Sequence, residues 1–168
     1  YANDPPFPYD NAAADNVLAD YRAVMVQMHR IAGKAATDAT TKLHYVCATK
    51  ETCTALRKEG VRGLIGMFLP INDRRALRYY LTSQQASILQ QYRLWHDSET
   101  DISFLCNNIV LNAVSLDEIT PLLSRQISNI YHVMIHEQYF YPDYIDYQPD
   151  FEKKIDAAIS FFQTLGLN

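Results

Sequence analysis

From about Asn11 onward, apolar residues recur at intervals of three and four. Val17/Leu18, Tyr21, Val24/Met25, Met28, Ile31/Ala32 and Ala35 fall on one stripe of a helix that should stop near Gly33 to Thr37. A second segment begins around Thr40 with Leu43, Val46 and Cys47 in phase. A third ends at Gly60, a residue suited to the left-handed turn that closes a helix. Behind Asn72-Asp73, the residues Leu77, Tyr80/Leu81, Ile88, Tyr92 and Trp95 share a stripe, which predicts a long helix over 73–96. Ser98-Glu99-Thr100-Asp101 breaks it.

Ile102, Leu105/Cys106, Ile109/Val110 and Ala113 predict a further helix, apolar on more than one side and therefore the most buried element. Ser115-Leu116-Asp117-Glu118 has the spacing of a capping box, with Val114 and Ile119 placed as its hydrophobic staple. Pro121 cannot sit deep in a helix, so a short turn and a new start near Thr120 are expected. The next helix carries Leu123, Ile127, Ile130 and Met134 as a bundle seam and ends before Pro142. After a tyrosine-rich loop, Phe151, Ile155, Ala158/Ile159, Phe162 and Leu165 mark a last helix. No run alternates apolar and polar residues between hairpin turn signals. The pattern predicts an all-α domain over 11–168, a bundle of five to six main helices, preceded by an extended arm over 1–10 that holds Pro5, Pro6 and Pro8.

Composition narrows the function classes. The chain has 168 residues with 48% hydrophobic and 20% charged, which fits one globular domain. A net charge of -4 argues against a nucleic-acid binder, whose affinity rests on a basic footprint. No apolar stretch approaches the ~18 to 20 residues of a membrane span. Charge is nonetheless uneven. Lys50 to Arg93 holds eight bases against three acids, whereas from Ile127 onward six acids face only Lys153 and Lys154. The opening Tyr1-Ala2-Asn3-Asp4 lacks Met, as in a chain whose leader has been removed, and points to a periplasmic or secreted protein; trimming at the bench produces the same start.

Four groups of residues are candidates for chemistry. His96-Asp97 would place a base beside an orienting carboxylate, the minimum for a small hydrolase, although a histidine at a helix C-terminus also complements the macrodipole. His132 and His136, four apart on a predicted helix, would share a face as metal ligands do. No third ligand accompanies them, so no metal or other cofactor is expected. None of the six glutamates has a histidine three residues on, which excludes the di-iron pattern of bundles. Cys47 and Cys53 are too far apart to pair on one helix, but a break at Thr49 would let them form a disulfide, leaving one thiol over. Cys106 is the other possible partner.

The last group is the segment rich in tyrosine and aspartate: Tyr139, Tyr141, Asp143, Tyr144, Asp146 and Tyr147. Tyrosine supplies large contact area with few rotors, and aspartates select a basic partner. The competing reading makes these rings a lid over the bundle end. Leu64 to Ile71, flanked by Arg62 and by Arg74, Arg75 and Arg78, suits either an anionic membrane surface or a core loop, the latter preferred. The sequence therefore points to a non-catalytic extracytoplasmic protein that binds a protein partner, such as an inhibitor, an immunity-type neutraliser or a secretion component. A His96/Asp97 hydrolase and a membrane-surface protein are the alternatives.

Overall fold

The computed structural model describes residues 9, 11–67, 78–125 and 130–166. The chain divides into two compact units, Tyr1–Cys106 and Asn107–Asn168. Of the predicted arm only Tyr9 belongs to the described residues. Phe68 to Ile71, Arg74, Arg75, Leu77 and Ile127 lie outside them as well.

The first unit opens with α1 (Ala14–Ala32), which buries Val17 and Leu18 and ends at Gly33, where φ is +79°. Then come β1 (Thr40–Thr41), a one-turn helix at His44–Val46, β2 (Cys47–Ala48) and α2 (Lys50–Lys58). The start of α2 is as expected: Thr49 caps it by accepting from the Thr52 amide at 3.2 Å, and Gly60 follows its end at φ +98°. Next are β3 (Gly63–Met67), β4 (Arg78–Tyr79), α3 (Ser83–Tyr92), β5 (Leu94–Asp97) and β6 (Ile102–Cys106). The main sheet has the order β1-β3-β6-β5, with β1, β3 and β6 parallel and β5 antiparallel to β6; β2 and β4 form a second parallel pair. Parallel neighbours require crossovers. One contains α2 and the other contains α3.

The second unit contains β7 (Ile109–Val110), one-turn helices at Leu111–Ala113 and Leu116–Glu118, α4 (Ile119–Ser124), β8 (Val133–Met134), a short helix at Glu137–Phe140 and α5 (Phe151–Thr164). β7 and β8 are parallel. The capping box at Ser115 and Glu118 forms, with the Ser115 amide donating to the Glu118 carboxylate at 2.8 Å. Pro121 falls in the first turn of α4, where its missing N–H costs nothing. Ile109, Leu111, Ile119, Leu123, Phe151, Ala158 and Phe161 form this unit's core.

The all-α expectation is therefore wrong: the chain mixes helices with a four-stranded sheet and two strand pairs. Three stretches account for the error. The run Ile102–Cys106 is apolar on two sides because it is a central strand, with Ile102, Phe104 and Cys106 buried and the alternate residues half-buried. The predicted helix 73–96 is only α3 where it is described as a helix. Arg93, at φ +63°, ends α3 in the left-handed conformation that a glycine would have announced, and Leu94–Asp97 turns back as a strand. The seam that included Ile130 and Met134 is not helical there; it contributes β8 instead.

The first unit's core runs from Val17 and Leu18 through Leu56 and Leu64 to Leu89, Ile102 and Phe104. One joint in it is unusually tight. Val46, fully buried, adopts φ +57°, a conformation that costs an ordinary L-residue ~1–2 kcal/mol. Its side chain rests on Gly66, where a Cβ would lie 2.7 Å from Val46 Cγ2. Gly66 has φ +134° and interrupts the regular pairing of β3 with β6 between Ile65 and Met67. Leu64, on the same strand, is fully buried in this core, so the stretch Leu64–Ile71 starts inside it.

Candidate functional site

His96 and Asp97 lie on β5, where successive side chains take opposite faces, and this separates them. Asp97 points inward, 7% exposed, and anchors the β5–β6 turn. It accepts from the Thr100 hydroxyl at 2.7 Å, from the Glu99 amide at 3.2 Å and from the Tyr80 hydroxyl. Burial pushes its carboxyl pKa up, but the donors from Tyr80, Thr100 and the turn amides outweigh it and hold the pKa below the usual carboxylate value. His96 points outward, 3.2 Å from Ser103 Oγ across the strand pair and 3.8 Å from Asp101. Asp101 in turn accepts from Arg57 at 2.6 Å and Arg62 at 3.1 Å. The predicted acid–base pair is thus not formed: one member is a turn anchor and the other belongs to an exposed charge cluster.

The cysteine bridge is also a correction. The break at Thr49 exists, yet Cys47, Cys53 and Cys106 are all buried and unbridged. Cys47 Sγ turns toward the His44 carbonyl at 3.4 Å, while Cys53 sits on the inner face of α2, its thiol pKa pushed up to about 12 by burial.

In the second unit, His132 and His136 flank β8 rather than share a helix turn. The helix turn that would have set the two rings on one face, four residues apart, is therefore not formed. Each meets an asparagine from the β7 segment. His132 Nδ1 lies 2.5 Å from Asn107 Oδ1, and the amide of Asn107 donates to Met134 Sδ at 3.1 Å. His136 Nδ1 lies 2.8 Å from Asn112 Oδ1. A carbonyl oxygen only accepts, so in each pair Nδ1 is the donor. Asn108 accepts from the His132 amide, while its own Nδ2 is buried with no hydrogen-bond partner among the described residues.

The loop after β8 is closed at its neck. The Gln148 amide donates to the Tyr139 carbonyl at 3.1 Å, Gln148 Nε2 donates to the Asn112 carbonyl at 2.9 Å, and buried Lys154 donates to Gln148 Oε1 at 2.8 Å. Inside the neck, turns run from Tyr141 to Tyr144 and from Tyr144 to Tyr147. Its aromatic residues divide into two sets. Tyr139, Phe140 and Tyr144 form the packed one, set apart by ring contacts since Phe140 keeps 39% of its surface exposed: Phe140 meets the buried Phe151 ring edge-on at 4.9 Å, Tyr139 tilts against it at 5.9 Å, and Tyr144 meets Tyr139 edge-on at 5.3 Å. Burial, then the neighbouring Tyr144 and Asp146, raise the Tyr139 pKa. Tyr141, Ile145 and Tyr147 form the outer set, 55%, 92% and 40% exposed, with Asp143 and Asp146 exposed among them.

The sequence reading found this loop but treated its tyrosines as one group. It missed Asn107, Asn108, Asn112, Gln148 and Lys154, because isolated amides and a lone lysine carry no spacing signal until the fold sets Asn107 and Asn108 beside His132 and the other three at the neck. Among the described residues, no helix is long and apolar enough to cross a membrane. No family model, curated protein or solved structure matches the chain.

Proposed function

We propose that the second unit is a protein-binding module whose contact surface is the outer face of the 139–148 loop, and that its partner is basic there. The split of the aromatic set carries this reading. Tyr139 and Phe140 pack their rings against Phe151 and Tyr144 packs against Tyr139, and these contacts together with the Gln148 neck fix the loop. A fixed loop then displays Tyr141, Ile145 and Tyr147 to solvent, where burial by a partner is favourable and little conformational entropy remains to be lost. Asp143 and Asp146 lie between the three, and Glu137 is exposed just before the loop, so a cationic surface is complementary.

The test is quantitative affinity capture with the wild-type protein and two variants, Ile145→Asp and Asp143→Lys/Asp146→Lys, followed by mass spectrometry. The reading expects at least one protein retained by the wild type, weakened by added salt and lost with both variants, while circular dichroism shows the fold unchanged. Identical capture by all three proteins refutes it.

A further inference from the structure

The first unit holds a cavity of about 280 Å³ where α1 faces the carboxyl end of β1, far in chemistry from the tyrosine loop. Its apolar wall is Val17, Tyr21 and Val24 from one side of α1, completed by Leu43. Lys42 and His44 reach it from the segment that leaves β1, and Asp20 lines it from α1, with its carboxylate accepting from the Tyr9 hydroxyl at 3.0 Å. In sheets of parallel strands, the space beyond the carboxyl ends is where ligands bind, because connections leave the strands there and open crevices.

The segment that delivers Lys42 and His44 is held in shape at a cost. Between them Leu43 turns inward, 5% exposed, and two residues later Val46 is fully buried in the left-handed conformation, locked against Gly66. That turn brings Leu43 and Val46 both into the core while His44 lines the cavity. Backbone strain kept at a β-branched, buried residue marks a position where geometry is worth more than local stability. Burial lowers the pKa of Lys42; burial and then nearby positive charge, Lys42 included, lower that of His44. A bound anion would favour the charged form of both and so oppose both shifts.

We infer that the cavity between α1 and the end of β1 is a binding site for a small organic oxyanion, a carboxylate or phosphate carried on an apolar body, with the head on Lys42 and His44 and the body against Val17, Tyr21, Val24 and Leu43. The volume suits a ligand of about one ring, and the lining offers polar and apolar surface in near-equal measure, as a ligand with a charged head and an apolar body requires. The Asp20–Tyr9 pair on the remaining wall disfavours a second anionic group and leaves room for a donor.

The experiment titrates the isotope-labelled protein with benzoate, phenyl phosphate and benzylammonium while the nuclear magnetic resonance signals of the His44 ring and the α1 amides are followed. Saturable shifts at these positions are expected with one or both anions and not with benzylammonium; which anion binds more tightly identifies the head group. Lys42→Met keeps the stem and removes the charge, and should weaken binding ~10-fold or more. Val24→Glu, on an exposed turn of α1, brings a carboxylate to the apolar wall and should weaken binding as well while circular dichroism stays unchanged. Three results each overturn the assignment: no saturable shift with either anion, equal binding of the cation, or unaltered anion binding by Lys42→Met.

Discussion

Replacing Gly66 by alanine tests the tightest joint of the first unit. The new methyl would sit 2.7 Å from Val46 Cγ2 and 3.0 Å from Cγ1, and Val46 cannot withdraw because it is fully buried and already in a left-handed conformation. Two costs combine. Holding alanine at φ +134° costs ~1–3 kcal/mol, and forcing a methyl into a filled core adds ~1–3 kcal/mol. Gly60→Ala isolates the first cost: its φ is +98° and nothing lies within 4 Å of the position a Cβ would take. Gly66→Ala should therefore lose ~3–5 kcal/mol against ~1–2 kcal/mol for Gly60→Ala. Urea denaturation followed by the fluorescence of Trp95, the single tryptophan, reads this unit directly. Val46→Gly, introduced into Gly66→Ala, removes the collision, so the double variant should cost ~1–3 kcal/mol less than the sum of the singles. Equal losses for the two glycine variants, or strict additivity, would falsify the interlock and leave Gly66 needed only for its backbone angle.

Asp97→Asn should destabilise the protein by ~1–3 kcal/mol at neutral pH, since it weakens an inward anchor of three donors. Because the folded pKa of Asp97 lies below the unfolded value of ~3.9, the carboxylate's contribution is complete above that value and disappears as the pH falls through the folded one; wild type and variant should converge in acid denaturation curves, and a constant gap would count against the anchor. Thiol titration of denatured, unreduced protein should find three thiols, whereas the native protein reacts slowly, burial holding the Cys53 thiol at about 12. Tyr139→Ala should lower the melting temperature measurably through lost packing on Phe151, while Tyr141→Ala should change stability by less than ~1 kcal/mol; the opposite order would mean the two aromatic sets are misassigned.

What the sequence disclosed followed the range of the interactions. The capping residues Thr49 and Ser115, the stop at Gly60 and the first and last helices are set by neighbours three or four residues away, and pattern alone located them. The sheet was hidden because β1, β2, β4, β7 and β8 are two residues each, too short for any alternation, and β6 is apolar on both faces. The Tyr139 to Tyr147 cluster was visible as composition. Its division into a packed and an outer set was not, because that depends on where Phe151 stands, and Lys42 with His44 became a pair of interest only once β1 ended beside α1.

The β5–β6 turn has a consequence for the order in which the first unit assembles. Its partners Asp97 and Ile102 are nearly adjacent in sequence, and the turn's own side chains hold it, so this hairpin can close on the ~1–10 μs scale of isolated hairpins. The pairings of β3 with β6 and of β1 with β3 join distant segments and must first meet the entropy of closing long loops. Substitutions at Asp97 or Thr100 should accordingly slow refolding, whereas substitutions at Thr40 and Thr41, on the last edge to be added, should chiefly accelerate unfolding.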